Sequence, residues 1–312
     1  MSGPVGGGTV AILGYGNQGA AHALNLRDSG EPVVVGARPG HGAQARARAA
    51  GFETCALEEA VTRAAVVAVL LPDDAVPALW PGLARALRPG AGVVFAHGFN
   101  LLYSDLEFPA GTDAVLVAPT GPGRVLRQVY ERGEGLPAYI AVHRDGSGGA
   151  WALAERYADG LGCARVWRTT VREETEVDLF GEQSVLCGGM NALVTAAFET
   201  LVEAGYAPEI AYLECVHQLK FLADLLHERG VTGLREGISG TALYGDVTRG
   251  PRVIGEPSRH QLRAMLAEIR DGRFARELAA ESAAGHPRTR AAVAAAAAHP
   301  MEAARRRALG LE

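Results

Sequence analysis

The sequence predicts an α/β protein in which an N-terminal doubly wound parallel sheet is followed by an all-helical domain. Three observations predict it. Short β-branched runs alternate with helical stretches through the first half, and the second half carries apolar residues at three-and-four spacing with few β-branched clusters. A length of 312 residues, at about 150 per domain, gives two domains, and 48 % apolar residues suffice to bury both cores.

Strands are expected at residues 9–13, 32–37, 65–71, 92–97, 114–118 and 138–142. Their near-continuous apolar runs, separated by helices or loops, are those of strands covered on both faces. Helices are expected over 173–204, 207–229 and 258–270, and the Ala/Arg-rich tail from Ala291 reads as a terminal helix with a solvated charged face. The change of texture places the boundary near Arg168, with domains 1–168 and 169–312. No internal repeat is found.

Composition narrows the function. A formal charge of −5 without a basic block gives no phosphate-neutralising surface, so nucleic acid is not an expected partner. Cys55, Cys163, Cys187 and Cys215 are far apart and lack C-x-x-C or zinc-finger spacing, which points to a reducing compartment. The longest apolar runs, 64–71 and 291–298, fall well short of the ~20 residues of a membrane span. The opening residues have neither a basic nor an apolar leader region. A soluble cytoplasmic protein without membrane contact is expected.

Glycine is in excess, 40 residues of 312, with no collagen-like period, and so calls for local explanations. The first is Gly14-Tyr15-Gly16-Asn17-Gln18-Gly19, a G-x-G-x-x-G between the first strand and a helix that begins with Ala20-Ala21-His22. Gly14 permits the tight turn, Gly16 lets the backbone approach a pyrophosphate, and Gly19 lets helix and strand lie close. The helix N-terminus adds unpaired N–H groups for the anion. Together these are the marks of a Rossmann dinucleotide site, although a tight turn alone would also use such glycines. After the second strand no Asp or Glu stands where an NAD ribose would meet one. Arg38 can stack on adenine, meet a 2′-phosphate, or be an exposed loop arginine, so NAD and NADP both stay open on this evidence.

Asp178 and Glu182 lie four apart, on one face of a helix, and could hold Mg²⁺; Glu214 and Gln218 repeat the spacing. From spacing alone, a solvated acidic face explains either pair better.

These segments, with Ala96-His97-Gly98-Phe99-Asn100, Gly121-Pro122-Gly123, Asp178-Leu179-Phe180-Gly181-Glu182-Gln183, Leu186-Cys187-Gly188-Gly189, Glu199-Thr200-Leu201-Val202-Glu203-Ala204-Gly205-Tyr206 and Tyr244-Gly245-Asp246, resemble the short-chain ketol-acid reductoisomerases. The resemblance covers essentially the whole chain and favours metal ligands over a solvated face for the carboxylates. It implies an NAD(P)H-binding Rossmann domain, a knotted helical domain, and a homodimer with interlocked helical domains. It also implies a small hydroxy- or keto-acid substrate held by two Mg²⁺ ions, with Asp178 bridging both and Glu182 holding one. By the same resemblance, Glu214 serves the second ion from the partner subunit, Ser239 binds the substrate, and His97 lies near the nicotinamide and the metals. The chemistry implied is alkyl migration in an acetohydroxyacid followed by hydride reduction.

Three departures stand out against the family pattern. The lysine of its Ala-Pro-Lys-Gly-Pro-Gly is Thr120, the second glutamate of its Glu-Cys-x-His-Glu is Gln218, and serines of the cofactor loop in NADPH-using relatives are His41 and Ala43. The last change tilts the cofactor toward NAD(H). Losing one cation and one anion together leaves the charge of the site about balanced, as compensating changes would. The departures favour a remodelled enzyme of secondary metabolism. It would rearrange or cyclise a carbon skeleton, for instance by forming a cyclopropanol from a sulfonium-bearing diol acid. An ordinary ketol-acid reductoisomerase of valine and isoleucine synthesis is the second expectation. An inactive NAD(P)-binding paralogue acting as a sensor or partner subunit is the third.

Overall fold

The computed structural model describes residues 5–311 and divides into two compact units, 1–177 and 178–312, with the join inside one helix. Unit one is an eight-stranded sheet with the order β3-β2-β1-β4-β5-β6-β7-β8. Its strands are β1 (Val10–Leu13), β2 (Val33–Gly36), β3 (Glu53–Cys55), β4 (Val66–Val69), β5 (Gly92–Phe95), β6 (Asp113–Pro119), β7 (Pro137–Arg144) and β8 (Arg165–Arg168). The reversal of order at β1, which pairs with β2 on one side and β4 on the other, is the doubly wound arrangement.

Alternation along each strand builds a core on both faces. Val10 and Ile12 of β1 join Val66, Ala68 and Val94 on one face, under α1 (Asn17–Asp28) and α7 (Ala150–Gly160). Ala11 and Leu13 join Val67, Val69 and Phe95 on the other, under α3 (Leu57–Arg63) and α4 (Val76–Ala86). α2 (Gly42–Ala49), α5 (Phe99–Tyr103) and α6 (Gly123–Glu131) complete the connections.

All six expected strands form, within a few residues of their expected limits. Two were not foreseen. β3 is only three residues long, and β8, Arg-Val-Trp-Arg, lies at a sheet edge with mostly exposed side chains, so neither carries a buried apolar run. The sheet also departs from purely parallel pairing, because β7 runs antiparallel to β6, with a register shift between Ala114 and Val115. The short link from β6 through α6 returns the chain along the same edge, which apolar content does not encode.

Helix α8 (Val171–Gly181) crosses from unit one into unit two. A π turn, Glu182–Leu186, and α9 (Gly188–Glu203) continue it, so that Val171–Glu203 is one 33-residue helical run. By length and composition this run is apolar enough to cross a bilayer. Counting consecutive apolar residues overlooked it because Gly, Ser, Thr and Asn interrupt the stretch. Next come α10 (Pro208–Tyr212), a second π turn, Leu213–His217, and α11 (Leu219–Gly237), which is broken at Gly230 with φ 65°. α12 (Gly240–Val253), α13 (Glu256–Arg270), α14 (Arg273–Ala283), α15 (Pro287–Ala298) and α16 (Pro300–Ala308) follow. α12 and α14 were not expected, and the tail is two helices divided at His299 rather than one. The buried core of this unit is small, a cluster of Phe198, Ala211, Tyr212 and Ala304.

Candidate functional site

In unit one, the C-terminal ends of β1, β4 and β5 surround a cleft of about 650 Å³. Gly14, Tyr15, Gly16, Gln18, Arg38 and His97 line it, so six of the predicted cofactor residues share one concave surface. The glycines divide the work as their spacing predicts. Gly14 has φ +93°, and a Cβ there would lie 2.6 Å from the Leu70 carbonyl oxygen. A Cβ on Gly19 would fall 2.3 Å from the Gly14 oxygen, whereas one on Gly16 would meet no atom within 4 Å. Gly14 and Gly19 therefore make the turn possible, and Gly16 keeps a space open above it. Gly16 also precedes α1 without any side-chain cap. A bare helix N-terminus beside open backbone fits a pyrophosphate.

Asn17 and Gln18 act on the protein itself. The Gln18 amide donates to the Gly121 carbonyl at 3.1 Å, and the Arg124 N–H donates to Asn17 Oδ1 at 3.2 Å. A Cβ on Gly123 would stand 2.2 Å from the Asn17 oxygen, so the 121–124 loop packs directly on the start of α1. Thr120 opens this loop, and its hydroxyl donates to the Pro137 carbonyl at 3.0 Å.

The end of the cleft beyond β2 is cationic. Arg38, His41 and Arg46 line it together with Ala43. His41 Nδ1 accepts from the Ala43 N–H at 3.3 Å and so caps α2, while the Arg46 guanidinium donates to the Tyr15 carbonyl at 3.0 Å.

At the opposite end of the cleft, His97 meets a residue that sequence reasoning missed. Glu174, only 2 % exposed, faces His97 Nδ1 at 3.3 Å and accepts from the Gly98 N–H at 3.0 Å. The same carboxyl group thus holds the His97 ring and the backbone of Gly98 together. Gly98 is required there, because a Cβ would overlap the Thr175 hydroxyl at 2.1 Å. The signal for Glu174 was its position one helical turn before Asp178, which extends the i, i+4 row by one member.

In unit two, Asp178 lies in the last turns of α8 and Glu182 opens the first π turn. A π turn widens the helix locally and recurs at functional positions. Gly188 and Gly189 permit this one, since Cβ atoms there would lie 2.3 Å from the Gln183 oxygen and 1.9 Å from the Ser184 oxygen. Glu214 sits inside the second π turn, and the Gln218 amide donates to its Oε2 at 2.7 Å. Ser239 caps α12, its hydroxyl accepting from the Ala242 N–H at 3.2 Å. Among the described residues, Glu182 and Glu214 belong to no group of three or more His, Cys, Asp or Glu ligand atoms, so the carboxylates of the two π-bulged helices are not brought together within one chain.

Comparison with known proteins adds to this geometry. Residues 4–166 match the family model for the acetohydroxy acid isomeroreductase NADPH-binding domain, and residues 171–309 match that for the ketol-acid reductoisomerase C-terminal domain. An NADH-preferring ketol-acid reductoisomerase from an uncultured archean is 36 % identical over 99 % of this chain and 96 % of its own, with a TM-score of 0.95. A semialdehyde dehydrogenase NAD-binding protein from Cupriavidus necator, 20 % identical, covers 84 % of this chain and 98 % of its own at a TM-score of 0.64. A pyrroline-5-carboxylate reductase from Coxiella burnetii, 16 % identical, covers 85 % and 98 % at 0.62. The last two share the fold alone.

Proposed function

Since the chain belongs to the ketol-acid reductoisomerase family, and is thus an NAD(P)-dependent oxidoreductase, we propose that it is a remodelled member. It acts with NAD(H) and Mg²⁺ on a small hydroxy or keto acid and performs a carbon-skeleton step other than the ordinary alkyl migration. The supporting observation is the Gln218–Glu214 hydrogen bond of 2.7 Å. Where the family carries a second glutamate, a neutral amide here occupies one oxygen of the remaining carboxylate. Thr120 accords with it, since the hydroxyl that replaces the family's lysine is turned to a backbone carbonyl and brings no cation.

Gly14, Gly16 and Gly19 shape the pyrophosphate cradle, Tyr15 and Arg38 border the nucleotide, and His97, held by Glu174, stands at the nicotinamide end as a proton-handling group. Asp178 and Glu182 would hold Mg²⁺, with Glu214 serving the second ion from a second copy of the chain, and Ser239 would contact the substrate. Mg²⁺, when bound, polarises the substrate carbonyl, and the nicotinamide removes and returns hydride. A redox-neutral cyclisation is one such step. The alcohol would be oxidised to a ketone by NAD⁺, giving NADH; one neighbouring carbon would lose a proton to a base of the site and displace a neutral thioether from the sulfonium-bearing carbon on the ketone's other side, and the NADH formed would reduce the ring ketone to a cyclopropanol.

NAD(H) is preferred in this proposal because His41 and Arg46 are engaged within the protein and Ala43 offers no hydroxyl to a 2′-phosphate. The relative with an NADH preference accords with it. The helical half, 169–312, is assigned to metal and substrate binding and to dimerisation, with a second copy of this chain covering its exposed apolar side chains. Four unpaired cysteines suit a reducing cytoplasm.

The test is turnover of 2-acetolactate by the purified protein with NADH and Mg²⁺, beside an ordinary family member. Turnover far below the ordinary enzyme, with Mg²⁺-dependent quenching of NADH fluorescence by small hydroxy acids, is expected. Comparable formation of 2,3-dihydroxyisovalerate would sink the proposal.

A further inference from the structure

A second concave site lies at the other ends of the strands that carry the cofactor cleft. Val66 and Gly92, at the starts of β4 and β5, line a hollow of about 260 Å³, while Val69 and Phe95, at the ends of the same strands, line the cleft. The hollow holds several times the ~30 Å³ that one water occupies in the liquid. Its charged lining is Arg88, Asp113 and Arg156, a net charge of one positive.

The Asp113 carboxylate does not neutralise the arginines by pairing with them. Its Oδ1 accepts from the Gly146 and Ser147 N–H groups at 2.9 Å each, and its Oδ2 accepts from the Ser147 hydroxyl at 2.6 Å. The acid is thereby used to fold the 145–149 turn, which also carries Gly149 into the lining. Arg88 is anchored at the rim by its Nε, which donates to the Thr62 carbonyl at 2.5 Å. Arg156, from α7, also lines the hollow and, among the described residues, makes no hydrogen bond or ion pair. A guanidinium with no acidic partner, lining a hollow of net positive charge, is met with matched charge and planar geometry by an oxyanion.

We propose that this hollow is a binding site for a small oxyanion, with Arg156 as the inner ligand and Arg88 as the outer one, separate from the cofactor cleft. A phosphate, a phosphomonoester and a short carboxylate share the required chemistry.

The experiment is calorimetric titration of the NADH-saturated protein with inorganic phosphate, with ionic strength held constant by chloride. Bound NADH occupies the glycine-rich loop, so phosphate taken up there does not enter the signal. One phosphate per chain is expected, with Kd weakened at least tenfold in Arg156→Met and about threefold in Arg88→Met. Parallel titrations with glycerol 3-phosphate and acetate identify the source: tighter binding of the ester assigns an organic phosphate, and tighter binding of acetate a carboxylate. Arg88 is exposed, so its variant keeps the test valid if Arg156→Met is unstable. Saturable binding of none of the three anions, or unchanged affinity in both variants, overturns the proposal.

Discussion

The amide of Gln218 donates to Glu214 Oε2 over 2.7 Å, across the second π turn. A glutamate at 218 would remove that donor and place two carboxylates side by side, where like charges repel unless a cation sits between them. Gln218→Glu is therefore expected to tighten Mg²⁺ binding at least tenfold in calorimetric titration, and with Thr120→Lys to restore measurable 2-acetolactate isomeroreduction. A folded, cofactor-binding double variant with no such activity would show that these positions do not account for the divergence.

Glu174 joins His97 to the backbone of Gly98 through the two oxygens of one buried carboxyl. Glu174→Gln keeps an acceptor for the Gly98 N–H, whereas Glu174→Ala leaves that buried donor unsatisfied. The alanine variant is expected to unfold about 1–3 kcal/mol more easily than the glutamine variant in urea. Both should weaken NADH fluorescence quenching by hydroxy acids, since each removes the carboxylate that holds His97.

Much of this was legible in the sequence, for identifiable reasons. The strands from β1 to β7 with fully buried faces announce themselves as apolar runs, and the G-x-G-x-x-G loop depends on backbone geometry that only glycine supplies. β8 was missed because Arg165 and Arg168 at an exposed edge obey no inward pattern, and Glu174 because its place in the i, i+4 row with Asp178 and Glu182 does not show that it meets His97 until the helix is set against that residue. The π turns escaped because periodicity assumes a uniform helix. Gly188 and Gly189, read in sequence only as part of a family segment, are the local trace of the first.

The three loop glycines should separate by experiment. Gly16→Ala meets open space, so its stability is expected to stay within about 0.5 kcal/mol of the parent while NADH binding weakens tenfold or more. Gly19→Ala would force its Cβ to 2.3 Å from the Gly14 oxygen and should lower stability by about 2 kcal/mol or more, along with cofactor affinity. Urea unfolding and NADH fluorescence titration on each variant measure both quantities.

His22, fully buried behind the cofactor loop, shares a 3.0 Å hydrogen bond with the Tyr157 hydroxyl. Burial lowers its pKa to about 3 from an ordinary 6.5. The unfolded chain therefore binds a proton near pH 6.5 that the folded chain refuses until about pH 3, and stability falls as the pH drops through that window. One such proton contributes a slope of about 1.4 kcal/mol per pH unit. His22→Gln removes the titration, so the difference in unfolding free energy between parent and variant should be flat above about pH 7 and slope between about pH 6 and 4. A parallel pair of profiles down to about pH 4 would refute the assignment.

The helical unit buries few large side chains within one chain. Phe198 and Tyr212 are covered, yet Val185 is 60 % exposed, Leu193 52 % and Phe221 53 %. Apolar area of that extent, distributed along the first π turn, α9 and α11 rather than scattered singly, is what an obligate partner buries. A second copy of the same chain is the proposed cover, and light scattering at micromolar concentration should return twice the mass of the chain. Leu193→Asp introduces an unpaired charge into that interface, which costs several kcal/mol when it is desolvated. The substitution should shift the equilibrium toward monomer and make the remaining dimer dilution-sensitive. Residues 5–177 form a core of their own, so NADH binding should persist in the variant. A monomeric parent protein, or a Leu193→Asp variant with unchanged mass and dilution behaviour, would exclude this face as the site of self-association.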